Sequence, residues 1–138
     1  MSASYVYFAL KGDDFDPDEV TKQLAILPTE AKRKGEAGRY IPKLRQSFWK
    51  YSSDQVENAL DIDALVEQVL QKLRGKEQAI LSLKKRLNLT SVLQIVLWID
   101  TNQEVSSPFL GHDISTIRFL HETATTTDLD IYRYDSSE

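Results

Sequence analysis

Three groups of residues in this chain have types and spacings that suit chemistry, and each also has a plain structural reading. The first is the acidic run at residues 13 to 19, DDFDPDE, in which Asp14, Asp16 and Asp18 stand at the alternate spacing that opens a calcium loop. Such a loop also needs glycine at its sixth position and a carboxylate at its twelfth, where this chain has Glu19 and Ala25. The run therefore reads as a helix start, with Asp16 as N-cap, Pro17 at the first helical position and Glu19 at the third, which makes a capping box. Phe15 and Val20 are placed to pack across it as a hydrophobic staple. The second group is His112 and His121, the only histidines, nine residues apart. That separation is not a ligand spacing on one helix face, so they read as loop and helix-flank residues.

The third group carries more. Between Thr29 and Ser53 the chain holds Lys32, Arg33, Lys34, Arg39, Lys43, Arg45 and Lys50 against Glu30 and Glu36 alone, interleaved with Tyr40, Trp49 and Tyr51. Cations beside aromatic rings are what hold phosphates and stack bases, so single-stranded nucleic acid is one candidate partner. The diagnostic basic, glycine, aromatic motif is approached only at Lys34 and Gly35, where Glu36 follows, and the chain as a whole carries a net charge of -4. Both observations weaken that reading, and the plain alternative is a solvated basic loop with the aromatics covered by the hairpin, a crossing helix or a second copy of the chain. A cleft around Thr29, Arg33, Glu36 and Arg39 is a third possibility, for a small ligand or an enzyme. No nucleophile elbow, phosphate-binding loop or dinucleotide fingerprint occurs, so no catalytic residue, cofactor or metal is assigned.

The elements that must position these residues follow from hydrophobic periodicity. Residues 91 to 100, SVLQIVLWID, form the most apolar run, with Leu93, Ile95, Leu97 and Ile99 on one face and Val92, Gln94, Val96, Trp98 and Asp100 on the other. A second strand is expected over 4 to 11, with Val6, Phe8 and Leu10 opposite Tyr5, Tyr7 and Ala9. A hairpin with an exposed basic loop is expected over 29 to 53, because Gly35, Gly38 and Pro42 interrupt any helical pattern. Residues 61 to 74 place Ile62, Leu65, Val66, Val69, Leu70 and Leu73 at helical spacing, and 76 to 87 carry a second helix ending near Asn88. Asp113 caps a last helix whose buried stripe reads as Ile114, Ile117, Leu120 and Ala124, leaving Phe119 exposed and partner-facing. A final strand runs from 129 to 134.

The order β, α, β, β, α, α, β, α, β predicts an α+β fold: a ferredoxin-like antiparallel sheet of four or five strands, helices on one face and an inserted helical pair. The 138 residues suffice for one domain, divided into a strand, helix and basic hairpin (4–53), a helical pair (61–88) and a strand, helix and strand (91–134). With the helices on one face, the other is expected to gather Tyr5, Tyr7, Trp49, Tyr51, Trp98, Tyr132 and Tyr134. The absence of cysteine, of a basic leader and of a membrane-length apolar run points to the cytoplasm and away from a membrane.

The N-terminal third resembles a family of small, mainly bacterial proteins catalogued as a domain of unknown function. The resemblance rests on YVYFALKGDDFDPDEV, then PTEAKRKGE, then SFWKYSS, within which Pro28, Thr29, Lys34, Gly35, Glu36 and Trp49 are characteristic. It implies a compact α+β domain with no established activity or cofactor, of a general sort with small bacterial immunity and partner-binding modules. The function expected is a non-enzymatic interaction module that uses the aromatic sheet face, with the basic loop at its margin, to bind another protein or a second copy of itself.

Overall fold

The two strands with the most apolar sequences pair side by side in the middle of the sheet. In the computed structural model, which describes residues 2–137, β1 (Ala3–Gly12) runs antiparallel to β5 (Thr90–Asp100) on one side and to β3 (Ser47–Ser52) on the other. β2 (Glu30–Lys32) is antiparallel to β3 at one edge, and β6 (Thr126–Tyr134) forms the other edge. β4 (Val56–Glu57) continues along β1 beyond β3, giving six strands. The chain kinks between β3 and β4 at Ser53, whose N–H donates to the Val6 carbonyl (2.8 Å) while its Oγ accepts from the Val6 N–H (3.0 Å).

The sheet is mostly antiparallel, but β5 and β6 are parallel, which corrects the expectation of an antiparallel sheet. The cause is α4 (Ile114–Glu122), a crossover that returns the chain to the end from which β5 began. Three further helices are α1 (Pro17–Leu24), which starts at the expected Pro17, and α2 (Ile62–Leu73) and α3 (Glu77–Leu87), which lie within one residue of their expected bounds. Their caps explain why. Asp61 accepts from the Ala64 N–H (3.2 Å) at the start of α2, and Asn88 closes α3 in the left-handed region. Asp16 caps α1 by accepting from the Asp18 N–H (2.9 Å), although Glu19 does not complete the capping box. Its carboxylate instead meets Arg86 of α3 at 2.6 Å.

All four helices contribute to one core. Val20 and Leu24 of α1, Ile62, Val66 and Leu70 of α2, Ile80 and Leu83 of α3, and Phe119 of α4 pack on Val6, Phe8, Leu10, Leu93, Ile95 and Leu97. The phase of α4 differs from expectation. Phe119 is only 2% exposed and meets Phe8 edge-on at 6.2 Å, whereas Ile114 and Ile117 are exposed. A stripe of isoleucines in the sequence outweighed the threonines, yet Thr116 and Thr123 are the buried partners of Phe119. They tolerate burial because their polar groups are satisfied: the Thr123 Oγ donates to the Phe119 carbonyl (2.9 Å), and Thr116 takes part in the Asp113 cap.

Lys84 locks this corner. Its ammonium donates to the Ser91 Oγ (2.7 Å) and to the carbonyls of Thr123 (2.9 Å) and Ala124 (2.6 Å), where α4 ends with Ala124 in the left-handed region. Burial draws its pKa down, but three acceptors hold the charge in place. Phe119→Ala is expected to lower the unfolding free energy by about 3–5 kcal/mol, the usual range for a buried aromatic truncated to alanine. Ile117→Ala on the exposed side of the same helix should change it by about 0.5 kcal/mol or less. Urea denaturation of the two variants decides between the two phases.

Candidate functional site

The strand alternation that buries one face of the sheet sends a different set of residues to the other, and no helix covers that set among the described residues. Register assigns its members. Tyr7 stands opposite Gln94 and Ser52, Tyr5 opposite Val96, and Trp98 beside Tyr132. The result is an aromatic floor on which Trp98 and Tyr132 stack at 4.8 Å between ring centres, with Tyr5 and Tyr7 stacked at 6.3 Å. Tyr134 lies at the margin of this face, tilted against Trp98, and donates its hydroxyl to the Asn58 Oδ1 (2.8 Å).

Two of the expected floor residues are elsewhere. β3 pairs with β1 so that Trp49 stands opposite Leu10 and Tyr51 opposite Phe8, which puts both on the core side. Trp49 is fully buried, and its indole N–H donates to the Thr21 Oγ (3.0 Å). Tyr51 is half-buried beside Ile26 and Leu27 in a smaller recess. Their neighbours in the strand, Phe48 and Lys50, take the places on the open face. The alternation within SFWKYS is legible in sequence, but which half faces inward is set by hairpin register, and the long connecting loop hides it. Phe119, expected to face a partner, belongs to the core as described above.

The segment between β2 and β3 forms the wall of the site. It is tied to itself by main-chain bonds, Gly35 N–H to the Leu44 carbonyl (2.9 Å) and Leu44 N–H to the Glu36 carbonyl (2.8 Å). Gly35 adopts φ of 91°, a backbone conformation that favours glycine, and Gly38 sits so close to Leu44 and Ile41 that a Cβ would collide with them. The base of this wall is pinned by the acidic run. Arg33 reaches Asp16 (2.7 Å) and Asp18 (3.0 Å), and Lys34 lies 3.4 Å from Asp13. The six basic residues of the expected loop, Lys32 to Arg45, therefore separate into groups. Arg33 and Lys34 face the acidic run, Lys32 and Arg39 line the groove, and Lys43 and Arg45 are exposed away from it. Of the four residues expected around a cleft, Thr29 and Arg39 line the groove, whereas Glu36 turns back to accept from the Arg33 N–H (2.7 Å).

Floor and wall enclose a groove of about 1010 Å³. Tyr5, Tyr7, Trp98, Tyr132 and Phe48 supply its floor, with Arg39, Tyr40, Ile41 and Leu44 on the wall. Its charges are mixed: Lys32, Arg39 and Lys50 against Glu30 and Asp130. The Lys50 ammonium lies over the rings of Tyr7 (4.6 Å) and Phe48 (4.7 Å), and burial lowers its pKa against the pull of Glu30. Burial also raises the pKa of Tyr5, opposed by Arg39, and pushes that of Tyr7 up to about 12, with Tyr5 and the carboxylates of Asp130 and Asp128 adding to it. Gln94, almost wholly buried on this side of the sheet beside Tyr7, leaves its side-chain Nε2 without a hydrogen-bond partner. Sequence reading missed Phe48 and Asp130 as members of this surface and counted Lys50 with the basic segment rather than with the floor; a correct register for β3 would have brought Phe48 and Lys50 to it.

Neither histidine lies in the groove. His112 meets the Thr127 Oγ at 3.0 Å, and His121 is exposed near the end of α4. No helix among the described residues is long and apolar enough to cross a membrane.

Residues 2–134 match the family described as domain of unknown function DUF4279. The chain belongs to that family. The match spans the strand, helix and hairpin of the N-terminal third and extends through β6, so every wall and floor residue of the groove lies within the DUF4279 domain. No curated protein and no solved structure matches the chain.

The Tyr7 phenol is expected to ionise near pH 12. Its proton is held more tightly in the folded state than in the unfolded one. The stabilisation is thus complete below the ordinary tyrosine pKa of about 10 and is lost as pH rises from there through about 12. Ultraviolet titration should show a late-ionising phenol that disappears in Tyr7→Phe. A wild-type titration curve in which every tyrosine ionises near its ordinary value would contradict the burial of that hydroxyl.

Proposed function

We propose that this DUF4279 protein is a non-enzymatic binding module that holds an extended segment of another polypeptide in the groove over its open sheet face. The observation that carries the reading is the pairing of a five-ring aromatic floor with a rim of mixed charge. Aromatic rings bury large areas at low conformational cost and are typical anchors of protein interfaces. Ile41 and Leu44 on the wall add apolar surface opposite the rings. Three cations against two carboxylates suit a polypeptide, which brings both signs. A nucleic-acid strand brings phosphates alone, and it would meet Asp130, with Asp128 on the same face of β6, while Arg33 and Lys34 are occupied by the acidic run.

The strand order β2, β3, β1, β5 also supports reading these four strands with their helices as a ferredoxin-like unit, to which α4 and β6 add a parallel edge. In that reading the helical pair α2 and α3 replaces a single crossover helix. The absence of cysteine fits work in the reducing cytoplasm.

A displayed library of random peptides supplies the test. Peptides selected on the wild-type protein should bind Trp98→Ala and Tyr132→Ala at least about tenfold more weakly, the loss expected when an interface anchor is truncated. They should bind Lys43→Ala, outside the groove, unchanged. Because the chain has two tryptophans and Trp49 is buried, the fluorescence of Trp98 in a Trp49→Phe background reports occupancy directly. Selection of no peptide that depends on Trp98 or Tyr132 would overturn the reading. Steeply salt-dependent retention on single-stranded oligonucleotides, lost in Arg39→Ala, would replace it with nucleic-acid binding.

A further inference from the structure

The outer side of β6 is a long sheet edge left open. The strand spans nine residues and pairs with β5 in unbroken register from Thr126 to Tyr134, and among the described residues no strand pairs with its other side. The opposite edge strand, β2, is only three residues long. Proteins protect a long edge with a bulge, a proline, a lysine or a covering segment, because its free amides and carbonyls invite another strand. The sequence TTDLDIYRY has neither proline nor lysine, and its ladder has no bulge. The residues that follow turn towards β5: the Thr101 N–H donates to the Tyr134 carbonyl (2.7 Å), and the Ser136 N–H donates to the Asp100 carboxylate (3.1 Å). Solvent meets apolar side chains along the strand, with Leu129 43% and Ile131 53% exposed.

We propose that β6 pairs antiparallel with β6 of a second copy of this chain, about a two-fold axis at Ile131, joining the two sheets into one. The charge pattern and the paired length together select the partner and the register, because an axis at Tyr132, which also avoids like charges, pairs only Asp130 through Tyr134. A two-fold axis perpendicular to the sheet keeps each residue on its own face, so it must pass through a residue position. An axis at Asp130 pairs all nine residues but sets the two copies of that carboxylate directly opposite each other. One at Leu129 sets Asp128 against Asp130 on both sides. Moving the axis to Ile131 pairs Asp128 through Tyr134 and places no like charges opposite. Ile131 then meets its own copy, Leu129 meets the aliphatic stem of Arg133, and Asp130 and Asp128 face the phenols of Tyr132 and Tyr134. A strand of unrelated sequence satisfies the same main-chain groups, but the self-complementary side-chain pattern favours a second copy. The pairing stands independently of the groove reading. Where both hold, the two grooves meet at the axis, because Asp130 and Tyr132 line each of them.

The cysteine-free chain makes the register measurable. Residues directly opposite across an antiparallel pair lie about 4.5–5.5 Å apart at Cα, within disulfide reach. Mild oxidation should therefore link Ile131→Cys into a covalent dimer. Leu129→Cys alone should not link, since its copies stand four residues apart along the strand, roughly 13 Å. An equimolar mixture of Leu129→Cys and Arg133→Cys should link as a heterodimer. Sedimentation of the wild-type protein should give a dimer, and Ile131→Arg should weaken it at least tenfold with an unchanged circular dichroism spectrum. A wild-type monomer throughout the micromolar range overturns the proposal. So does a dimer that links through Leu129→Cys alone or that survives Ile131→Arg intact.

Discussion

Side-chain alternation along β1 and β5 is the constraint on which the rest of this structure depends. Both strands are apolar on one face and mixed on the other, and they pair so that Val6, Phe8 and Leu10 share a face with Leu93, Ile95 and Leu97. All four helices are drawn to that face, since it offers the larger aliphatic surface to remove from water. No helix in the described fold remains to cover the opposite face. Its tyrosines and Trp98 are thus left half-exposed by the same arrangement that completes the core.

Electrostatics shapes that open face without supplying much stability. The pairs from Arg33 to Asp16 and Asp18 and from Lys34 to Asp13 are solvent-exposed, and such pairs contribute little energy individually. Their effect is positional. They draw the base of the β2–β3 segment towards the start of α1, which leaves Arg39, Ile41 and Leu44 to form a wall over the aromatic floor. Within the groove, burial and the acids of β6 together keep the Tyr7 phenol neutral well above the ordinary range.

The α4 corner shows a polar network doing the work usually left to apolar packing. Ser91, Thr123 and Thr125 share hydroxyl contacts of 2.7 Å, and Lys84 reaches into this group to bind the carbonyls that end the helix. Burying hydroxyls costs little when each has a partner, so the inward side of α4 can be threonine and phenylalanine while isoleucines face solvent. That corner also fixes where β6 begins, and hence which of its residues lie beside Trp98.

Local chemistry alone determined much of this protein. Caps at Asp16 and Asp113, a stop at Asn88, and the periods of β1, β5 and α2 were legible because each depends on residues within a few positions of one another. The motifs in the first 55 residues likewise marked the family. Tertiary structure decided what depends on distant partners. Trp49 and Tyr51 face the core because β3 pairs with β1 in one of two possible parities, a choice made across a fourteen-residue loop, 33 to 46, that leaves no local trace. Phe119 points inward because Phe8 awaits it there and because the threonines beside it find hydrogen-bond partners 2 to 4 residues away only once the chain has turned. Sequence specified the two faces of each element; packing chose which of them met.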